Sequence, residues 1–327
     1  MTDRRELKIR RASSQLGISK SESVKLALPV QQQPPTLGRH FVRAHAAQYA
    51  VVIALIWLLA LSERWTPFHH ALYHNGDLEM WRYSYPLRQN HVPAWAVPCI
   101  SVFTPVLCIL GFAAVGRVGR VEVHHACLLL VACVASCGLV TNWIKINVGR
   151  PRPHFVHRCW PDGLPPAFTA EGLPDCAASA INPGEGLKSF PSGHTSWSTS
   201  GLGYTTFWLL GKLRCFDGQA QPTRFIVAVI PLLGALWIGM SRLQDHWHHV
   251  EDVACGFLLG LLVAFCFYRQ IYPSVLGPHA GQLTATARQA GSKVSLSTSP
   301  SRVSLLNRNG EAAEQYSAAG YLGDEQV

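Results

Sequence analysis

Three segments of the sequence combine cations, histidines and small residues at spacings that suit chemistry on a phosphate group. They are WIKINVGRPRPHF from residue 143, FPSGHTSW from residue 190 and SRLQDHWHHVED from residue 241. A lysine ammonium or an arginine guanidinium neutralises phosphate oxygens, and the planar guanidinium also matches their geometry. The segments hold four Lys and Arg residues, of which Lys145, Arg152 and Arg242 are the candidates for this role and Arg150 is the fourth.

Two of these segments also predict helix starts that carry histidine. Ser192, Gly193 and His194 begin one helix, where backbone N–H groups and the helix dipole bind anions. His248 and Asp252 are four residues apart and share one face at the start of another. The carboxylate can hold one ring nitrogen of His248 and raise the nucleophilicity of the other. With one histidine attacking phosphorus and the second protonating the leaving oxygen, the pattern predicts a phosphoryl-transfer site.

Each feature taken alone has a simpler interpretation. A lone Lys145 at a helix end extends towards the aqueous interface, and Pro-Ser-Gly-His is an ordinary helix start. The HWHH run at 246–249 could be interfacial side chains or zinc ligands, but no further Cys or Glu set lies at ligand spacing and the nearby cations would repel a metal. We interpret Asp245 and His246 as scaffold and leave the role of His249 open. The joint occurrence favours the phosphate site, with no metal and no cofactor.

The elements that carry these residues are predicted by the distribution of charge. Only 14% of the 327 residues are charged, against about 25% in a typical soluble domain. Segments such as VVIALIWLLAL show no polar face of the kind a soluble bundle needs, and a helix of about 17–25 residues crosses a bilayer core. We therefore expect an all-α membrane protein, a bundle of six transmembrane helices, and not a nucleic-acid binder. The charge-free windows are 45–62, 92–115, 123–144, 189–211, 225–241 and 253–268.

The basic residues predict the orientation of this bundle. The net charge is +9, and residues 1–44 alone carry nine basic and three acidic side chains. An even number of spans puts both tails on one side, and cytoplasmic tails place nineteen basic residues inside against nine outside, as the positive-inside rule expects. All three motifs then lie at the luminal or extracellular face. We expect a disordered basic tail over 1–44, a six-span domain over 45–273 and a disordered tail over 274–327.

Two of the ten cysteines share an outer loop, the one over residues 145–188. If this loop is luminal, we expect a disulfide between Cys159 and Cys176, which would stabilise the fold by about 3 kcal/mol.

The joint pattern resembles a known family. Lys145-x6-Arg152-Pro153, then Pro191-Ser192-Gly193-His194, then Ser241-Arg242-x5-His248-x3-Asp252 resembles the three-part signature of the type 2 phosphatidic acid phosphatase superfamily. Within it, the segments are most similar to the lipid phosphate phosphatase branch, including fungal diacylglycerol pyrophosphate phosphatases. The resemblance covers about residues 45–275.

The resemblance implies a role for each site residue. His248 would be the nucleophile that forms a phosphohistidine, with Asp252 as its partner, and His194 would be the general acid. The family needs no metal. The implied ligands of the phosphoryl oxygens are Lys145, Arg152, Ser192, Gly193 and Arg242.

We therefore expect a magnesium-independent lipid phosphate phosphatase of phospholipid metabolism and lipid signalling. Its substrate would be phosphatidate, diacylglycerol pyrophosphate, lysophosphatidate or a similar membrane lipid. An isoprenoid-diphosphate phosphatase is the nearest alternative. A vanadium-dependent haloperoxidase has a similar pocket but is soluble, and a non-catalytic lipid-phosphate binder or transporter is a third class. The preferred lipid, the oligomeric state and the membrane (vacuole, endoplasmic reticulum or Golgi, or plasma membrane) stay open.

Overall fold

A computed structural model describes residues 45–70, 80–163 and 165–284. The tail predictions for 1–44 and for 285–327 lie outside these ranges. The described chain is helical and contains no named β-strand, so the all-α prediction is confirmed for it. Its eight α-helices are α1 (Ala46–Ser62), α2 (Ala96–Ala114), α3 (Arg120–Val148), α4 (Phe155–Cys159), α5 (Pro183–Gly186), α6 (Gly193–Lys212), α7 (Pro222–Gln244) and α8 (Val250–Ile271), with 3-10 turns at Met80–Tyr83 and Pro161–Gly163.

Six of the described helices are long, and each coincides with one of the charge-poor windows. Four of them, α2, α3, α7 and α8, are long and apolar enough to cross a membrane. Helix α1 is apolar but has 17 residues. Helix α6 has 20 residues but contains many Ser, Thr and Gly residues, which lower its hydropathy.

Helix α6 can carry many polar and small residues because other helices surround it. It packs against α2, α3, α7 and α8, and its sequence GHTSWSTSGLGYTTFWLLGK is buried over most of its length. Large apolar side chains are instead exposed on the outer helices, as expected where lipid replaces water. Examples are Trp57, Leu107, Leu233 and Leu262.

Two glycines of α8 let it approach α6 closely. A Cβ added at Gly256 would lie 2.7 Å from the carbonyl oxygen of Ser192, and one at Gly260 would lie 2.5 Å from that of Ser196. Real Cβ atoms do not come so close, so the small residues permit the packing. The backbone N–H of Ser192 donates to the carbonyl of Asp252 at 2.9 Å. The starts of α6 and α8 are thereby held side by side.

The described chain continues past the end of α8, where the sequence predicts a disordered tail from residue 274. Lys212 donates to the carbonyl of Gly281 at 2.5 Å, and Thr284 donates to that of Ile271 at 2.7 Å. Residues 274–284 therefore form turns packed against the end of α6, because these bonds satisfy backbone groups that would otherwise need water.

Candidate active site

A cavity of about 340 Å³ opens at the end of the bundle where α3 ends and α6 and α8 begin. All three chemically distinctive segments reach it. The lining residues that matter for chemistry are Lys145, Arg152, Gly193, His194, Trp247 and His248.

Two buried cations form one wall of the cavity. Gly149 ends α3 with φ +61°, a conformation that favours glycine, and its N–H donates to the carbonyl of Lys145 at 2.9 Å. The chain then turns back, and the backbone N–H of Arg152 donates to Gly186 at 2.8 Å. Lys145 donates through Nζ to the carbonyl of Lys188 at 2.7 Å. The Lys145 and Arg152 residues are 8% and 7% exposed, so their charges act in a poorly hydrated space.

Trp247 supports the arginine side of this wall. The guanidinium carbons of Arg152 and Arg158 lie 4.8 and 5.0 Å from the centre of its rings. The His154 ring meets the same indole edge-on at 4.8 Å. Burial lowers the pKa of Arg152 to about 10, so it stays charged at neutral pH. Burial, together with Arg152 and Arg158, lowers the pKa of His154 to about 3.

The start of α6 forms the floor of the cavity. Ser192 caps the helix, and its Oγ accepts from the backbone N–H of Thr195 at 3.4 Å and from the Thr195 hydroxyl at 2.9 Å. Gly193 follows without a side chain, and the space beside it is bounded by Cε of Lys145. His194 donates from Nε2 to the carbonyl of Val92 at 3.1 Å, because a carbonyl can only accept. The backbone N–H groups at the start of α6 and the side chain of Lys145 therefore face the same cavity, which suits an anion.

Asp252 is fully buried and accepts hydrogen bonds on both carboxylate oxygens. Arg150 donates to Oδ1 at 2.6 Å. Ser189 donates to Oδ2 at 2.6 Å, and the backbone N–H and Nδ1 of His249 lie 2.9 and 3.2 Å from the same atom. Nδ1 of His248 lies 3.7 Å from Oδ2, within ion-pair range but longer than a hydrogen bond.

His248 is 4% exposed and lies between this carboxylate and the cavity. Burial lowers its pKa well below the usual range, with Lys145 and Arg152 acting in the same direction and Asp252 opposing them. The imidazole is therefore neutral at neutral pH, which is the form that has a lone pair to donate.

Comparison with known proteins identifies the family. The model of the PAP2 superfamily matches residues 126–275. Lipid phosphate phosphatase 2 of Arabidopsis thaliana is 38% identical over 259 residues, which cover 75% of this chain and 87% of that protein. The chain belongs to the lipid phosphate phosphatases of the PAP2 superfamily. Diacylglycerol pyrophosphate phosphatase 1 of Saccharomyces cerevisiae is 36% identical over 221 residues, covering 65% of this chain and 74% of that protein. No solved structure is significantly similar.

The predicted family is thus confirmed, and this lipid phosphate phosphatase is a membrane hydrolase. Of its eight predicted site residues, Lys145, Arg152, Gly193, His194 and His248 line the cavity. Ser192, Arg242 and Asp252 are buried and do not line it.

Arg242 of the lipid phosphate phosphatase has protein partners on all sides. It is fully buried and donates to Asp245 at 2.7 Å, to Asn90 at 2.7 Å and to Ser241 at 3.0 and 3.1 Å. Asp245 also accepts from the backbone N–H of His91 at 2.9 Å and pairs with its ring. The interpretation of Asp245 as scaffold agrees with these contacts. The prediction that Arg242 also binds a phosphoryl oxygen stays a prediction.

Sequence reasoning missed the surroundings of Asp252. Arg150 and Ser189 hold this carboxylate, and His249, whose role was open, supplies two further contacts. One signal was available in the sequence: a buried carboxylate requires several donors. Arg150 was a candidate donor, because it lies two residues from Arg152 in the same motif.

The two cysteines of the outer segment are joined in the structure. Cys159 and Cys176 form a disulfide with Cα atoms 4.6 Å apart. Beside it, the backbone N–H of Ile181 donates to Arg158 at 2.8 Å. The segment that leads to Gly186, and so to the backbone of Arg152, starts from this bridge.

Proposed function

We propose that this protein hydrolyses lipid phosphates without a metal, through a phosphohistidine formed on His248. The observation that carries the proposal is a buried, neutral His248 that shares one cavity with His194 and two cations while its Nδ1 faces Asp252.

The first step forms the covalent intermediate. Lys145, Arg152 and the N–H groups at Gly193 bind the phosphoryl oxygens and neutralise the charge that develops, which magnesium does in kinases. The Nε2 lone pair of His248 attacks phosphorus, and the bond from phosphorus to the lipid oxygen breaks. His194 acts in its imidazolium form: Val92 keeps the Nε2 proton, and Nδ1 gives its proton to that oxygen, so the lipid leaves as an alcohol, or as a lipid monophosphate when the substrate is a diphosphate.

The second step restores the enzyme. His194, now lacking its proton, takes one from a water that attacks the phosphohistidine, and the phosphorus–nitrogen bond breaks to release inorganic phosphate. Asp252 stabilises the positive charge on His248 and holds its ring. Arg242, whose charge is paired with Asp245, acts by holding Asn90 in the cavity wall, and Ser192 acts by capping the helix that presents Gly193.

We further infer six membrane crossings with both tails cytoplasmic. The 17 residues of α1 fall at the short end of the spanning range of about 17–25 residues. Helix α6 does not need an apolar surface because other helices surround it. The excess of basic residues in the tails and short loops of one side orients the bundle and puts the cavity at the luminal or extracellular face.

The substrate class follows from the cavity and from the names of the relatives. The site accepts a phosphate that reaches the edge of the bilayer, and curated relatives are named for lipid phosphates and diacylglycerol pyrophosphate. Phosphatidate, diacylglycerol pyrophosphate and lysophosphatidate are therefore the proposed substrates.

The test is phosphate release in detergent micelles containing a chelator. The panel is phosphatidate, diacylglycerol pyrophosphate, lysophosphatidate and isoprenoid diphosphates. We expect turnover by the wild type, near-complete loss in His248→Ala and inhibition by vanadate. Preference for isoprenoid diphosphates would favour the alternative phosphatase, and peroxidase activity with vanadate would favour a haloperoxidase. Lipid binding without turnover in wild type would overturn the enzymatic proposal.

The intermediate is tested by rapid quenching with radiolabelled phosphatidate. A label that is stable to alkali and labile to acid is expected on the wild type and absent from His248→Ala. A label on serine, or its persistence in His248→Ala, would exclude His248 as the nucleophile.

A further inference from the structure

Three histidines lie close together at the end of the bundle away from the active site. His45 immediately precedes α1, and His124 and His125 lie near the start of α3. Helix α3 separates them from Lys145 by twenty residues, or about 30 Å at 1.5 Å per residue. They cannot contribute to the phosphate site.

The three imidazoles are arranged as metal ligands could be. One nitrogen from each ring can be chosen so that all three lie within 4.8 Å of one another. The ring centres are 5.0–5.1 Å apart, and all three side chains are half-buried. Zinc bound tetrahedrally at about 2.0–2.1 Å holds its nitrogens roughly 3.3 Å apart. Metal binding would require side-chain rotations that bring these nitrogens closer together by up to about 1.5 Å.

Tyr49 adds a partner of the kind that orients a ligating histidine. It lies one turn beyond His45 on α1, and its hydroxyl is 2.5 Å from Nε2 of His124. Ligating histidines commonly use the other ring nitrogen for such a bond, which fixes the ring and its tautomer. The contact crosses from α1 to α3, as the proposed metal would.

We propose that His45, His124 and His125 form a binding site for a divalent transition metal, with zinc as the candidate ion. Three imidazoles and no thiolate suit zinc, and three protein ligands leave a fourth position for water. The metal would join the start of α1 to the start of α3. It would fix the point where the chain enters the bundle from residues 1–44, on the cytoplasmic side in the proposed topology.

The test is zinc binding by full-length protein carrying no histidine tag, purified in detergent and stripped with a chelator. We expect one zinc per chain after gel filtration, measured by mass spectrometry, and a cobalt spectrum typical of nitrogen ligands. The double variant His124→Gln/His125→Gln should bind at least about 100-fold more weakly. Tyr49→Phe should weaken binding by about 10-fold.

Matched controls separate this site from other histidines. His279→Gln changes a half-buried histidine outside the cluster, and His248→Ala removes one from the phosphate site. Both should keep one zinc per chain. Phosphate release by the double variant should equal that of wild type, which checks that the variant folds. If the double variant does not fold, the single variant His45→Gln replaces it in the zinc-binding test.

Three results would overturn the metal site. They are wild-type protein that retains no zinc at micromolar concentration, equal zinc binding by wild type and the ligand variants, or loss of zinc only in His248→Ala. In the first case the three rings pack edge to face without a metal.

Discussion

Arg150 donates to Oδ1 of Asp252 at 2.6 Å, while Ser189 and His249 occupy Oδ2. This pairing links the loop after α3 to the first turn of α8. Because Asp252 also faces Nδ1 of His248, the arginine fixes the carboxylate that orients the proposed nucleophile. Arg150 does not line the cavity itself.

The first prediction concerns this arginine as a positioning residue. Arg150→Met should lower kcat by about 10- to 100-fold, the effect of losing one hydrogen bond to a charged group, about 1.5–3 kcal/mol. KM for phosphatidate should change little. Arg150→Lys should restore part of kcat, because lysine keeps the positive charge but lacks the planar set of guanidinium donors. A rise in KM with unchanged kcat would instead make Arg150 a substrate-binding residue.

The second prediction concerns the pH dependence of catalysis. Burial lowers the pKa of His248, so the neutral, nucleophilic form persists as pH falls through about 6.5, where an ordinary histidine protonates. The acid limb of kcat/KM that belongs to the free enzyme should therefore lie below about pH 6. The profile is measured in micelles and corrected for the phosphate ionisation of the lipid, obtained by phosphorus NMR. An enzyme limb at or above pH 6.5 would contradict a buried neutral His248.

The third prediction uses His154, which is fully buried beside Trp247. Among the described residues neither of its ring nitrogens has a hydrogen-bond partner. Its pKa of about 3 in the folded protein lies below about 6.5 in the unfolded chain, so unfolding takes up a proton in acid. His154 alone should lower the free energy of unfolding by about 1.4 kcal/mol for each pH unit below 6.5, until the pH approaches 3.

His154→Phe removes this proton uptake and should flatten the acid loss of stability relative to wild type. Thermal unfolding in detergent from pH 7 to 5 measures the difference, with His157→Phe as the control, since His157 lies three residues further on, in α4, and is exposed. Parallel curves for wild type and His154→Phe would show that His154 is not a buried neutral group.

The sequence predicts the positions of the long helices well because a run of about 17–25 residues without charge is a local feature of the sequence. It also predicts the motif residues that meet at the cavity, since each motif lies at a helix end. It does not predict the partners of Asp252 or the enclosure of Arg242 by Asp245 and Asn90. The contacts of Asp252 with Arg150 and Ser189, and of Arg242 with Asn90, join residues about 60–150 positions apart through irregular loops, where no periodicity exists.

The fourth prediction concerns Trp247, whose indole supports Arg152 and Arg158. Trp247→Leu removes both cation–π contacts, worth about 0.5–2 kcal/mol each, and lets Arg152 move from the cavity. KM for phosphatidate should rise by about 10-fold, with a smaller change in kcat. Trp247→Phe keeps an aromatic face and should recover most of the affinity. Equal defects in both variants would point to the Nε1 hydrogen bond to Arg88 in place of ring stacking.

The fifth prediction concerns the bond between Cys159 and Cys176. Cys159→Ser/Cys176→Ser should lower stability by about 2–5 kcal/mol, because the bridge restrains the segment between α3 and α6. It should also raise KM, because that segment leads to Gly186, whose carbonyl accepts the backbone N–H of Arg152. Cys255→Ser, at an exposed thiol on α8, is the control and should change neither property.

Free thiols are counted in unfolded protein, with and without a reductant, while melting temperature and KM are measured on the same samples. A wild-type count that is unchanged by reduction would show that the two cysteines are not bonded, and an unchanged KM in the double variant would uncouple this bridge from the phosphate site.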